Sequence, residues 1–463
     1  MATIHKATVP PANEPPRDTT DLAEMVQGEV AGDTVPTAAF TSAAFPATQT
    51  APVIADIWHA RDSLHGHINV TPMLHSRTFS AMCGAEVFLK AENLQRAGSF
   101  KIRGATYKIA RLSERERQCG VIAASAGNHA QGVAIAAQAY GIPCTVVMPE
   151  GAPLAKVTAT RSYGANVVQF GLTYDDAYAR ACEIQAESGA TFTHAFNDPM
   201  VIAGQGTLGL EILDDVADVD AIIVPIGGGG LISGIAIAAK SLRPDIKIIG
   251  VQASGANATQ LSLHSGKIIT LPTLNTIADG ISTKRPGDLN FAIMQRYVDE
   301  VVSVDDEETA SAIILLMERC KLIVEGAGAV GIAALLKPEL LTLAGKKVVV
   351  LLSGGNIDMN LIGRFIEFGL AAQGRILILH TAVLDRPGEL MRLLAITTEL
   401  GVNVREVNHR RAVPLLPIQQ VEVTMTLETR NRLHAEQVIH SLREHGYYVN
   451  EAVATYGSQQ PHS

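Results

Sequence analysis

The sequence predicts an α/β protein built on open parallel sheets, followed by a smaller βαββαβ unit. Three observations predict it. Between about residues 53 and 370, short β-rich apolar runs alternate with stretches of helical period. Those runs are near-continuous rather than alternating, as in parallel strands covered on both faces. Beyond Gly374 the order becomes strand, helix, strand, strand, helix, strand.

Taken in order, residues 1–52 are rich in Pro, Ala and Thr, lack a clean period and read as a disordered tail. Its acids Glu14, Asp18, Asp21, Glu24, Glu29 and Asp33 do not suit an organellar targeting peptide. EVFLKAENLQ opens the main unit with a strand-like run, and GATYKIARL shortly after has helical spacing. Further strands are expected at 120–124, 143–148, 166–170, 221–226, 247–252 and 347–353. Helices are expected at HAQGVAIAAQAYG and GLISGIAIAAKSL, among others.

Gln373 and Gly374 mark a linker. Strands at 375–384, 403–411, 419–429 and 447–452, with helices at 387–401 and 431–446, make the ferredoxin-like unit. The expected units are 1–52 as tail, 53–372 as the main unit with a smaller part near 96–202 inserted in it, 373–457, and 458–463 as a short tail.

At 463 residues the chain exceeds one ordinary core. Net charge is −9 with no long basic run, so nucleic acid and anionic membrane are poor partners. The five cysteines show no metal-type spacing, and the expectation is reduced thiols in a cytoplasmic protein. No apolar stretch suits a membrane span, and the N-terminus lacks a signal peptide's apolar core.

Four segments bear on chemistry. In GSFKIRGA, Lys101 falls where a helix begins. A helix start favours negative charge, so a lysine there is unusual, although its stem could simply pack while its amine reaches water. In AIIVPIGGGGLISG a strand runs into Gly227, Gly228, Gly229 and Gly230, and a helix begins near Leu231. Such glycines expose backbone N–H groups at a helix N-terminus, which suits a phosphate. The pattern is not a dinucleotide fingerprint, because Ser233 takes the place of the last glycine and the next strand ends at Gln252 rather than an acid. No Lys-Ser/Thr follows to make a nucleotide P-loop.

ASAGNHAQG places Ser125, Ala126, Gly127, Asn128 and His129 between strand and helix, suiting a carboxylate or a ring hydroxyl. It reads equally as a capping cluster, with His129 a core histidine. VVVLLSGGN puts Ser353 at a strand's C-terminal end, where open parallel sheets bind ligands, or where a serine caps a helix. Glu325 in EGAGA reads equally as a surface acid. Together, a lysine, a phosphate cradle, an anion loop and a lone hydroxyl match a cofactor with an aldehyde, a phosphate and a ring nitrogen, which is pyridoxal 5'-phosphate.

SFKIRGA, ASAGNHAQG, GGGGLISG, ADGIS, EGAGA and SGGN, in that order from about 53 to 370, resemble the threonine/serine dehydratases of the fold-type-II pyridoxal-phosphate enzymes. The C-terminal unit, with DRPGEL at 385–390, resembles an ACT regulatory domain. The combination resembles ACT-containing threonine ammonia-lyases.

The resemblance implies two twisted parallel-rich sheets, dehydrative deamination of L-threonine to 2-oxobutanoate, and the same reaction on L-serine. It implies that Lys101 bonds the cofactor and then acts as base. Phe100 lies against the ring, Asn128 bonds its hydroxyl and Ser353 its nitrogen, while Gly227 to Gly230 and Leu231 hold the phosphate. The Ser125–His129 loop and Gly280 hold the substrate. Asp385, Arg386, Pro387 and Gly388 bind an amino-acid effector, and the chain is a homo-oligomer, dimer or tetramer.

Two departures from the related serine racemases stand out. Ala126 replaces the serine that protonates the opposite face there, and Gln252 stands where they carry a carboxylate metal ligand, so no metal is expected. The alternatives are another fold-type-II enzyme (a serine dehydratase or racemase, or one like cysteine synthase) and a non-catalytic amino-acid sensor.

Overall fold

The computed structural model describes residues 50–411 and 416–451, so the expected N-terminal tail up to residue 49 and the chain's last residues lie outside the described part. In chain order the strands are β1 (Met73–His75), β2 (Glu86–Ala91), β3 (Val121–Ala124), β4 (Cys144–Met148), β5 (Asn166–Gln169), β6 (Thr191–Phe192) and β7 (Ala221–Pro225). They continue as β8 (Lys247–Ala253), β9 (Glu300–Val304), β10 (Lys347–Leu352), β11 (Ile376–Leu384), β12 (Asn403–Arg410), β13 (Gln420–Glu428) and β14 (Val449–Glu451).

They form three sheets. The largest has the order β1-β2-β10-β7-β8-β9 and is parallel except for its antiparallel edge β1. Its central strands are buried on both faces, which is why Ala221–Pro225 and Lys347–Leu352 read as unbroken apolar runs. Helices Gly326–Leu335 and Asp306–Leu315 cover one face; Gly230–Leu242 and Pro199–Asp215 cover the other. Between β2 and β7 the chain leaves this sheet and builds a second, all-parallel one in the order β5-β4-β3-β6.

The third sheet has the order β12-β13-β11-β14 and is antiparallel throughout. Its strands β11 and β13 alternate buried and half-buried residues, the mark of a sheet with one face on helices. Here the helices are Glu389–Glu399 and Arg432–Glu444. The chain enters it through Gly374 at φ 65°, a left-handed turn that glycine adopts freely, after helix Met359–Ala372. Two ion pairs tie it to the preceding helices: Arg375 to Glu318 at 2.5 Å, and Arg405 to Glu367 through two bonds of 3.0 and 2.8 Å. Among the described residues, no helix is long and apolar enough to cross a membrane.

A charged joint lies where the second sheet departs and returns. Arg103 is fully buried and makes paired bonds to Glu92 (2.8 and 2.8 Å) and to Glu211 (2.6 and 3.0 Å). Lys90, also fully buried, bonds Glu211 at 2.9 Å and Asp215 at 3.0 Å. The joint thus clamps β2, helix Lys101–Ala110 and helix Pro199–Asp215 together. Arg103→Met leaves the buried Glu92 carboxylate without its cation and Glu211 with Lys90 alone. It should destabilise the protein by about 3–5 kcal/mol, read as a lowered denaturation midpoint.

Candidate functional site

The site starts from a tight turn. Ala97 (φ 64°) and Gly98 (φ 67°) both take left-handed backbone, and Ala97 does so at a steric cost. A side chain at 98 would also collide with the Asn356 amide. The turn is pinned to the end of β10: Gly355 N–H donates to Gly98 O at 2.8 Å, and Phe100 N–H donates to Ser353 O at 3.2 Å. Helix Lys101–Ala110 therefore begins beside Ser353, and Lys101 is its first residue.

The lysine amine turns inward and donates to the Ala195 carbonyl at 3.0 Å, with the Phe100 ring centroid 5.1 Å away. Burial lowers its pKa to about 8, opposed by the negative charge of Glu325. A neutral, nucleophilic amine is thus accessible close to neutral pH.

Ala195 leads directly to the glycine loop. The next residue, Phe196, packs its ring against Gly228 and its backbone against Gly230. Asn290, fully buried, fastens the two segments by donating to Phe196 O (3.1 Å) and to Gly228 O (2.9 Å). Gly229 sits at φ 96°, and helix Gly230–Leu242 follows at once. Ile226 N–H reaches Val251 O and Ser233 N–H reaches Gly229 O. Among the described residues, the amides of Gly227 to Leu231 have no protein acceptor. A row of unused N–H groups at a helix N-terminus, walled so closely that side chains would not fit, is suited to cradle a phosphate.

The 125–129 loop lies at the C-terminal end of β3. Ser125 Oγ accepts from Gly127 N–H at 3.1 Å, and a side chain at Gly127 would enter open space. Asn128 opens helix Asn128–Ala139 and is held at both ends of its amide. Its Nδ2 donates to Glu325 Oε1 at 2.7 Å, and its Oδ1 accepts from Asn356 Nδ2 at 2.8 Å. Asn356 also donates to Ala97 O at 2.6 Å, closing the circuit to the turn before Lys101. His129 instead turns its ring into the core, Nε2 meeting Thr193 O at 2.7 Å. Burial pushes it down to about 3, helped by the Lys101 charge and opposed by the Thr193 carbonyl.

Ser353 is nearly fully buried, its Oγ contacting Ala327 O at 3.3 Å. Gly280 packs on Ala327 and on the Glu325 carboxylate. The structure thus brings Phe100, Lys101, Asn128, the tetraglycine loop, Ser353, Gly280 and the 125–127 loop around one place. Asp385 to Gly388 lie elsewhere, in the exposed turn between β11 and helix Glu389–Glu399. There Gly388 takes φ 93° and Asp385 pairs with Arg411 at 3.2 Å.

Three contributors were not assigned to the site by sequence reading. Glu325, which could have been a surface acid, is buried against Asn128. Asn356 was visible only as part of SGGN, and Ala195-Phe196 carried no signal at all, since a backbone carbonyl does the bonding. The residues fit pyridoxal phosphate: an amine of lowered pKa, an amide nest without protein acceptors, and a buried hydroxyl share one site.

Comparison with known proteins agrees. The pyridoxal-phosphate dependent enzyme family matches residues 64–354. The chain is 50% identical over 396 residues to L-threonine ammonia-lyase of Thermotoga maritima, covering 86% of this chain and 98% of that one. It is 48% identical over 316 residues to the catabolic L-threonine dehydratase of Escherichia coli, covering 68% and 96%. Maize serine racemase, a solved structure, superposes with a TM-score of 0.66 at 38% identity, covering 70% of this chain and all of that one. Likeness of this extent, centred on the segment that builds the lysine and glycine site, makes this chain a member of the pyridoxal-phosphate dependent enzyme family.

Proposed function

We propose that the protein is an L-threonine ammonia-lyase, converting L-threonine to 2-oxobutanoate and ammonia, and L-serine to pyruvate. The observation that carries this is the 50% identity over nearly the whole length of an L-threonine ammonia-lyase. When bound, pyridoxal phosphate supplies an electron sink for charge developing at the substrate α-carbon. The chain's own residues do the rest. Lys101 would hold the cofactor through its amine, and that amine is the base placed to take the substrate α-proton. The amides of Gly227 to Leu231 fix the phosphate. Asn128, oriented by Glu325 and Asn356, would meet the ring hydroxyl, and Phe100 would lie against the ring. Ser353 would offer the ring nitrogen a neutral hydroxyl rather than a carboxylate.

Ser125, Ala126, Gly127 and the backbone at His129 take the substrate carboxylate, with Gly280 on the far side. The β-hydroxyl leaves as water, carrying off a proton equivalent to the one Lys101 took from the α-carbon. The released enamine takes up water again, yielding the oxo acid and ammonia. No metal takes part in this reading.

We read residues 53–372 as the catalytic unit, with 96–202 as its smaller part, and 373–457 as an ACT-like regulatory unit. That unit binds an amino acid such as isoleucine at Asp385, Arg386, Pro387 and Gly388, in a cytoplasmic homo-oligomer serving isoleucine formation. The likeness to maize serine racemase favours a second reading, against which Ala126 stands. The test is oxo-acid release from L-threonine and L-serine by the full chain, with and without isoleucine, alongside D-serine formation. Rapid 2-oxobutanoate release altered by isoleucine is expected. D-serine as the main product from L-serine, without oxo acid from threonine, refutes the reading.

A further inference from the structure

Behind Asn128 lies a small cavity of about 90 Å³, walled by Lys156, Asp279, Glu325, Asn356 and Asp358 among others. Glu325 stands between this cavity and the lysine site. Its carboxyl is buried and its Oε1 accepts from Asn128 at 2.7 Å, while its backbone N–H is bound to Gly354 O at 3.1 Å. On the cavity's outer side Lys156 Nζ meets Asp279 Oδ2 at 2.8 Å. The lysine belongs to helix Leu154–Ser162, beside the second sheet, and the aspartate to the 3-10 turn Asp279–Ile281, beside the large one. This ion pair therefore joins an element beside the second sheet to one beside the large sheet.

We propose that Glu325 is a positioning residue for the lyase reaction: its carboxylate fixes the Asn128 amide, and the Lys156–Asp279 pair governs how readily it ionises. The proposal rests on the reading of Asn128 as the ligand of the ring hydroxyl. An ionised Glu325 offers only acceptors, so Asn128 must present its NH₂ to it and its Oδ1 to Asn356. A protonated Glu325 can donate instead and turn the amide over, which breaks the Asn356 bond.

The charges around Glu325 make this a working equilibrium near neutrality. Burial raises its pKa to about 7, helped by Asp279 and opposed by the Asn128 bond, by Lys156 and by Lys101. Asp358, after β10, shares the cavity and bonds Asn360 N–H at 2.9 Å. The histidines near the lysine do not compete, because burial lowers His129 to about 3 and His194 to about 4. In the loaded enzyme the Lys101 amine is engaged. That removes one of the charges opposing burial and leaves Glu325 as the group whose ionisation sets an acid limb at about pH 7 or somewhat above.

The experiment measures kcat/KM for L-threonine against pH, and in parallel the absorption spectrum of the bound cofactor against pH. It uses the holoenzyme and its Glu325→Gln, Lys156→Met and Asp279→Asn variants. The wild type should lose activity as pH falls through about 7, with a matching spectral change. Glu325→Gln should keep its cofactor, lose both pH responses and turn over about tenfold more slowly.

Removing the Lys156 cation should move the acid limb up, and removing the Asp279 anion should move it down, each by about 0.5–1 pH unit. Opposite shifts from two adjacent surface groups are something a merely structural role would not produce. A limb that persists in Glu325→Gln, or shifts of the same sign or none in the other two, overturns the proposal. Should threonine prove not to be the substrate, turnover fails at every pH in the wild type, while the spectral titration still judges Glu325.

Discussion

Lys101→Ala should fold, bind pyridoxal phosphate weakly and release no measurable 2-oxobutanoate from L-threonine. In the proposed mechanism the side chain supplies the amine that both holds the cofactor aldehyde and removes the α-proton, and among the described residues no other lysine amine lies beside Ala195 and Phe100. Lys156, the other lysine near the site, is occupied by Asp279 across the outer cavity. Loss of both roles should lower kcat by about 10³-fold or more. The absorption band of a lysine-bound cofactor should vanish, and borohydride reduction should fix no cofactor to the peptide containing residue 101. Folding should survive, because the amine makes one bond, to Ala195 O, while the helix is held by Arg103. A retained band, with activity, would remove the foundation of the proposed mechanism.

Gly230→Ala should cripple cofactor binding without touching any catalytic side chain. A β-carbon at 230 would lie 2.9 Å from both the Cα and the carbonyl oxygen of Phe196. Those are backbone atoms, and Asn290 and the neighbouring His194 ring bind that segment, so no rotamer change relieves the clash. Overpacking of this kind costs about 1–3 kcal/mol. The simplest relief is for the glycine loop to shift, spoiling the row of amides proposed to hold the phosphate. Cofactor affinity should therefore fall by about 10- to 100-fold, measured by titrating the apoenzyme and following absorption. Gly363→Ala, where the new carbon meets open space on a helix, should leave affinity unaltered.

Much of this was legible in the chain itself. The glycine loop after β7, the lysine at a helix start and the serine at the end of β10 are local patterns. Each is a strand running into a turn and a helix, and backbone geometry over a dozen residues dictates it. The βαββαβ order after Gly374 was legible for the same reason: strands with one buried face alternate, and two amphipathic helices separate them. Less visible were β1 and β6, at three and two residues too short to display a period, and the antiparallel turn of β1 at the sheet edge.

What the sequence by itself determined is the kind of layers the chain builds and the chemical groups set at their edges. Only the tertiary structure decided which groups face one another. Parallel pairing of β10 with β2 and with β7 places Ser353 beside Lys101, although some 250 residues separate them in the chain. The same packing buries Glu325 against Asn128, 197 positions away, and turns a carboxylate that could have sat in water into one whose charge depends on its neighbours. Local propensity is set by each residue and its near neighbours. Burial and partnership depend on which distant segments share a core, and a carboxylate's chemistry follows from those.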